Sequence, residues 1–143
     1  LGREQEKELS KKIKKPPKTA TVKIREGQAT FREQVLQIYD SKCCISDCAI
    51  TEVLEAAHIY EWSISKDNKP TNGICLRVDL HKLFDKGLVS ISDSFVVSVD
   101  QSLEGSEYWP FNGCKISLPL QEIDWPKKSN LRWRLKLNQS LGT

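Results

Sequence analysis

The two histidines of this chain both lie in residues 43–92, and the pattern around them constrains the fold more than any other feature. His58 ends an apolar run, which predicts a β-strand. His81 falls within residues 80–86, which are typical of a short helix because apolar residues recur at helical spacing and a glycine follows. Asn72 lies in the loop between them. The stretch therefore predicts a strand, a loop and a helix, each with one polar side chain.

The strand is predicted to belong to a short hairpin. Residues 53–59 would form its second strand and residues 47–51 its turn. Imidazole suits a general base because its unperturbed pKa lies near neutrality, so His58 is a candidate base. A single histidine is more often a surface or core residue, so both interpretations stand at this point.

On the predicted helix, His81 and Asp85 are four residues apart and share one face. An imidazole and a carboxylate on adjacent turns supply half of a divalent-metal site, although the same spacing also suits a solvated pair. Asn72 and Gly73 form a turn sequence, in which the Asn side chain can bridge backbone groups and tie the loop to the hairpin. The residues expected to face the core are Leu80, Leu83 and Phe84.

The motifs EAAHI, NGICL and LHKLFDKGLVSIS, in this order, resemble those of the HNH endonuclease family, in the branch found in modification-dependent and other restriction enzymes. The resemblance implies an α+β fold: a ββα-metal core of hairpin and helix around one divalent metal, with flanking helices and a small antiparallel sheet. It also implies metal-dependent hydrolysis of DNA phosphodiester bonds, as the cleavage module of a restriction or defence enzyme.

The resemblance assigns roles to individual residues. His58 would be the general base, Asn72 would position the loop, and His81 would bind the metal. Asp85 is our inference, from its position, for a second metal ligand. We expect the ion to be Mg²⁺ or Mn²⁺, with Zn²⁺ or Ni²⁺ as alternatives.

The chain departs from the family pattern at one position. Many HNH nucleases carry Asp or His just before the base, where this chain has Ala57. Glu55, two residues earlier on the same face of the strand, is a candidate substitute. The departure favours an alternative function, a catalytically inactive HNH-like module that binds DNA or acts as a scaffold. A structural domain that holds only zinc is a third interpretation.

DNA is the expected partner. The formal net charge of +3 permits a polyanion but does not require one. The candidate phosphate contacts are Arg25, Arg32 and Lys82. Breaks in both strands would need two copies of such a site, which favours a homodimer. The chain contains no Met, so we expect it to be a piece of a longer protein with a recognition domain outside it.

Composition agrees with one globular domain in a reducing compartment. The chain has 143 residues, of which 38% are hydrophobic and 29% charged. No apolar run is long enough for a membrane span, and no signal peptide is visible. Five cysteines make a disulfide framework unfavourable and favour the cytoplasm. Their C-C-x3-C spacing leaves a structural zinc site open, with buried free thiols as the other interpretation.

Two regions are predicted along the chain. Residues 1–20 would be a basic linker or tail that ends in two prolines, either solvated or in contact with phosphates. Residues 21–143 would be the nuclease domain. Within it, residues 21–25 alternate as in a short strand, and residues 28–39 repeat at helical spacing.

The second half of the domain is predicted to add strands and a last helix. The predicted strands are residues 88–92, 94–99 and 113–118, the first two joined by a turn. Residues 129–138 would form the helix. Its charged residues, Arg132, Arg134 and Lys136, are predicted to be exposed.

Overall fold

Four helices and four strands make up the regular structure. The computed structural model describes the backbone of residues 2–141 and the side chains of residues 19–140, and it divides into two compact units, residues 1–30 and 31–143. In chain order the elements are α1 (Gly2–Ile38), β1 (Leu54–His58), α2 (Trp62–Ser65), β2 (Gly73–Arg77), α3 (Val78–Asp85), β3 (Val89–Ile91), β4 (Val97–Val99) and α4 (Lys128–Leu141).

The centre of the second unit is a strand, a second strand and a helix. β1 pairs antiparallel with β2, with Leu54 opposite Arg77 and His58 opposite Gly73. α3 follows β2 without an intervening loop. This ββα arrangement, with a second two-stranded sheet and flanking helices, confirms the predicted α+β class.

The predicted partner of β1 was wrong. Residues 44–46 form a turn and Thr51–Val53 a 3-10 helix, so residues 47–51 are not the bend of a hairpin, and β1 pairs instead with the later strand β2. The segment between the two histidines, predicted as a loop, contains β2 in its second half. β2 is buried on both faces from Gly73 to Leu76, so its sequence lacks the apolar–polar alternation by which a half-exposed strand is recognised.

Helix α3 is confirmed close to its predicted bounds. Leu80 and Phe84 are fully buried, so one face of the helix packs into the core. The helix ends in a Schellman motif: Gly87 N–H donates to the Phe84 carbonyl at 3.1 Å, and Leu88 N–H donates to the Leu83 carbonyl at 2.9 Å. Gly87 has φ +75°, which explains why glycine suits this position.

The second sheet contains only two of its three predicted strands. β3 and β4 pair antiparallel, as expected, but residues 113–118 form a single bridge, Lys115 to Val96. Gly113 has φ +85°, which is incompatible with extended backbone, so the segment runs beside β4 without a regular ladder.

Residues 21–25, predicted as a strand, belong to helix α1. Val22 and Ile24 are each 42% exposed, so their alternation covers no core. Five alternating residues carry too little information to distinguish a strand from part of a long helix. Residues 28–38 are helical as predicted, and Asp40 and Ser41, both with positive φ, terminate the helix. The tail lysines lie outside the described side chains, at positions 11, 12, 14, 15 and 18.

The hydrophobic core of the second unit joins α1, the central sheet, α3 and α4. Representative members are Val35, Ile74, Phe84 and Leu131, each fully buried. α4 is confirmed, with Leu131 on its inner face. None of the helices in the described part of the chain combines the length and apolarity that a membrane crossing requires.

All five cysteines are free thiols. Cys43, Cys44 and Cys75 are buried in the core, whereas Cys114 is exposed. Burial raises the pKa of Cys75 to about 12 and that of Cys44 well above its ordinary value, so both remain protonated near neutral pH. Within residues 19–140, no group of three or more such side chains is arranged to hold a zinc ion.

Candidate active site

His58 is held at the end of β1 by two side chains. Its Nε2 lies 2.9 Å from Asn68 Oδ1, and its ring stacks on Phe31 with centroids 3.9 Å apart and planes 5° from parallel. Burial lowers the pKa of His58, opposed by the Asn68 hydrogen bond and by the charge of Asp67. The imidazole is therefore neutral near pH 7 and fixed in orientation.

Gly73 makes the Phe31–His58 stack sterically feasible. It lies opposite His58 in the ladder. A Cβ at Gly73 would lie 2.6 Å from Phe31 Cζ and 2.6 Å from Val35 Cγ2, closer than carbon atoms approach. The glycine of the NG pair is thus explained by the packing of α1 on the sheet.

Asn72 is fully buried and bridges backbone groups on both sides of the loop. Its Oδ1 accepts from Tyr60 N–H at 2.8 Å, and its Nδ2 donates to the carbonyls of Tyr60 and Asp67, each at 3.0 Å. These bonds fix both ends of the loop that carries Asn68. Asn72 therefore does not face the solvent but shapes the loop that orients His58.

His81 lies between two carboxylates. Its Nδ1 is 3.0 Å from Glu55 Oε1 on β1, and its Nε2 is 3.3 Å from Asp85 Oδ2 one turn later on α3. The side chains of His81, Glu55 and Asp85 are 23%, 47% and 54% exposed, so the group opens to solvent. Position 57, just before the candidate base, is a fully buried alanine. The carboxylate of β1 that contacts His81 is instead that of Glu55.

The ring nitrogen of His81 and the carboxylate of Asp85 can share one divalent cation. Two atoms that occupy adjacent positions on one ion at about 2.1 Å lie roughly 3 Å apart, which suits His81 Nε2 and Asp85 Oδ2. Glu55 contacts the other ring nitrogen, and within residues 19–140 no three such side chains form a complete metal site. The residues therefore fit an ion that takes most ligands from water and phosphate, as Mg²⁺ does.

His58 lies within electrostatic range of the His81–Asp85 pair. The charge of His81 lowers the pKa of His58 and the charge of Asp85 raises it, both less than burial and the Asn68 hydrogen bond do. The candidate base and the candidate metal ligands therefore interact, although they come from different elements.

Arginine side chains occupy the outer edge of β1. Ile59 N–H donates toward the loop before β2, so the alternation of an antiparallel strand directs the carbonyls of Leu54 and His58 to the opposite side. Arg32 Nη1 donates to Leu54 O at 2.7 Å, and Arg134 Nη2 donates to His58 O at 3.0 Å. The prediction that Arg134 is exposed was wrong: it is 5% exposed, because its guanidinium binds backbone inside the fold.

The candidate phosphate contacts are exposed cationic side chains. Arg25 is an exposed residue of the first unit, and Lys82 is exposed on α3. Arg32 is exposed as a residue while one of its nitrogens supports β1. The sequence missed Phe31, Asn68 and Arg134. The only sequence signal for these contacts was the position of Asn68 in the polar loop, four residues before Asn72.

The chain resembles known proteins in part of its sequence and in its fold. Residues 43–92 match the family model described as HNH endonuclease. A solved structure described as "Modification dependent TagI restriction endonuclease" matches with a TM-score of 0.52 at 19% sequence identity, and the match covers 74% of this chain and 36% of that one. At this identity the likeness shows a shared fold, and the chain spans about a third of that protein. No curated protein matches the chain significantly.

HNH nucleases generally use a divalent metal, which agrees with the solvent-open group around His81. The ββα core lies within residues 43–92, and both histidines and Asn72 fall inside the same matched segment. The match of residues 43–92, together with the shared fold, supports an HNH nuclease domain in this part of the chain.

Proposed function

We propose that this chain is the DNA-cleaving module of a restriction or defence enzyme, with His58 as general base and His81 and Asp85 as ligands of Mg²⁺ or Mn²⁺. One observation carries the proposal: a neutral, oriented imidazole lies within electrostatic range of a solvent-open imidazole–carboxylate pair. The neighbour's description as modification-dependent supports a separate recognition domain, because the described residues form only the nuclease core and its flanking elements.

His58 would take the proton from the attacking water. An amide oxygen only accepts, so Nε2 of the neutral ring carries the hydrogen that Asn68 binds, and Nδ1 is left with the lone pair. The water oxygen forms a bond to phosphorus, its proton passes to Nδ1, and the bond from phosphorus to the 3′ oxygen breaks. The leaving 3′ oxygen takes a proton from solvent water, so the product ends are a 5′ phosphate and a 3′ hydroxyl.

The remaining residues would hold the substrate and the site. A bound divalent cation would stabilise negative charge on the phosphate and the leaving oxygen. Glu55 orients His81 through Nδ1. Arg25, Arg32 and Lys82 would contact phosphates, which positions DNA without reading its sequence. A homodimer would supply the second site that a double-strand break needs.

Plasmid cleavage tests the proposal. We expect nicking or linearisation of supercoiled DNA with Mg²⁺ or Mn²⁺, and complete loss of cleavage on addition of EDTA. The double variant His81→Ala/Asp85→Ala should lose cleavage and bind Mn²⁺ more weakly by electron paramagnetic resonance. Asp93→Ala is the matched control, since this carboxylate pairs with Arg132 elsewhere on the surface. DNA binding without cleavage in any divalent metal would instead support the inactive module, which Ala57 favours.

The pH dependence of cleavage should report the pKa of His58. Asn68→Asp places a carboxylate at the imidazole and favours the protonated ring, so the acidic limb of kcat/KM should move up by about 1 pH unit. Asp67→Asn removes a charge that raises the pKa of His58, so the limb should move down. Both profiles would be measured from pH 5 to 9. Shifts in the same direction would show that another group sets the limb.

A further inference from the structure

Arg134 links the two halves of the site. Its Nε donates to Ile59 O at 2.8 Å and its Nη2 to His58 O at 3.0 Å, so the guanidinium binds the backbone at the end of β1. Its Cζ lies 4.9 Å from the centroid of Phe84, which lies on α3 between His81 and Asp85. One side chain of α4 thus contacts both the strand with the base and the helix with the metal ligands.

The charge of Arg134 has no direct counter-ion. None of the ion pairs among the described residues includes it, and the charges of Asp85 and Glu61 act on it only at longer range. Burial lowers the pKa of Arg134, which shows that the fold disfavours the charge. A packed apolar side chain would avoid this cost but would leave the carbonyls of His58 and Ile59 without donors, so the arginine is explained by its contact with these two carbonyls.

The contact requires a fork, that is, two N–H donors held at a fixed separation on one planar group. Two carbonyls of consecutive residues are bonded by two nitrogens of one rigid guanidinium, whereas a lysine would offer a single ammonium on a flexible stem. Such a contact restrains both the position and the direction of the backbone that carries His58.

We propose that Arg134 is a positioning residue for cleavage, which fixes the backbone of His58 at a set distance from the His81–Asp85 pair. The inference rests on the proposed role of His58 as base. Displacement of a catalytic group by about 1 Å can cost roughly 100-fold in rate, so a modest loosening of this contact should be visible in kcat.

Two variants separate the fork from the charge. Arg134→Lys keeps the charge and loses the fork, and we expect kcat to fall roughly 10- to 100-fold with KM for DNA changed less than about threefold. Arg134→citrulline keeps both donors and loses the charge, and its kcat should stay within about threefold of the parent. The Gly113–Cys114 junction permits native chemical ligation of a synthetic segment 114–143 that carries citrulline.

Arg132→Lys is the matched control, because Arg132 lies on the same helix but is 58% exposed and pairs with Asp93. Its kcat should equal that of the parent. Unfolding temperatures of all variants would be measured, and rates taken well below them. Relaxation of the His58 ring protons by Mn²⁺ gives a second readout, since it reports the distance from ion to base and should change in Arg134→Lys alone.

The outcomes are decisive. Unchanged kcat in folded Arg134→Lys would overturn the proposal, and so would a large loss in the citrulline variant, which would assign the effect to charge. A lysine variant that folds at no temperature or osmolyte concentration would also overturn it, because Arg134 would then serve folding itself. Failure of the parent to cleave would instead reject the proposed function, so parent activity is established first.

Discussion

Replacing His58 by alanine is expected to reduce the rate of DNA cleavage by about 10²- to 10⁴-fold, the usual contribution of a general base. The variant loses the group that accepts the proton from water, while the His81–Asp85 pair stays in place. Single-turnover cleavage of supercoiled plasmid in Mn²⁺ would measure the loss. Added imidazole should restore part of the rate in the alanine variant.

Two controls make the His58 result specific. DNA affinity, measured by fluorescence anisotropy in Ca²⁺, should change little, because the proposed phosphate contacts lie on other residues. The unfolding temperature should fall only modestly, since the ring is half-buried and loses one stack and one hydrogen bond. Retention of parental cleavage by folded His58→Ala would exclude this residue as the base.

Asn72→Ala is expected to destabilise the chain by about 3–5 kcal/mol, the largest stability effect of a single polar substitution here. The change leaves Tyr60 N–H, Tyr60 O and Asp67 O without their bonds inside the protein. Urea unfolding at neutral pH would measure the loss. The fraction that remains folded should also cleave slowly, because the loop that carries Asn68 loses its anchor.

Asn112→Ala provides the matched comparison. Asn112 is exposed and accepts a single bond, from Val99 N–H at 2.9 Å. Its loss should cost only about 0.5–1.5 kcal/mol, the net value of one ordinary hydrogen bond. Equal destabilisation by both substitutions would show that burial of the Asn72 amide is not what makes it important.

Local patterns predicted some elements of the site and missed others. Helix α3 was predictable, because its apolar face and the glycine that ends it are signals within one short segment. The pairing of β1 was not, because β2 is buried on both faces and lacks alternation. Apolar–polar alternation identifies only strands that have one face exposed to solvent.

The supporting residues were hidden for a different reason. Phe31 and Arg134 reach His58 from helices far away in sequence, so nothing near the motif indicates them. A charged residue on a terminal helix is normally solvated, and Arg134 is buried only because strand carbonyls meet it there. The motif indicated which groups are candidates for the chemistry, and the tertiary structure shows which residues hold them in place.

The arginines along β1 also restrict how two molecules can associate. An unpaired strand edge invites a strand from another chain, but here Leu54 O and His58 O already bind guanidinium groups. The far side of β2 is covered as well, where Cys44 N–H donates to Cys75 O at 2.9 Å. Intermolecular extension of the central sheet would have to break these bonds, so paired copies that cut opposite DNA strands would meet through helical or loop surfaces.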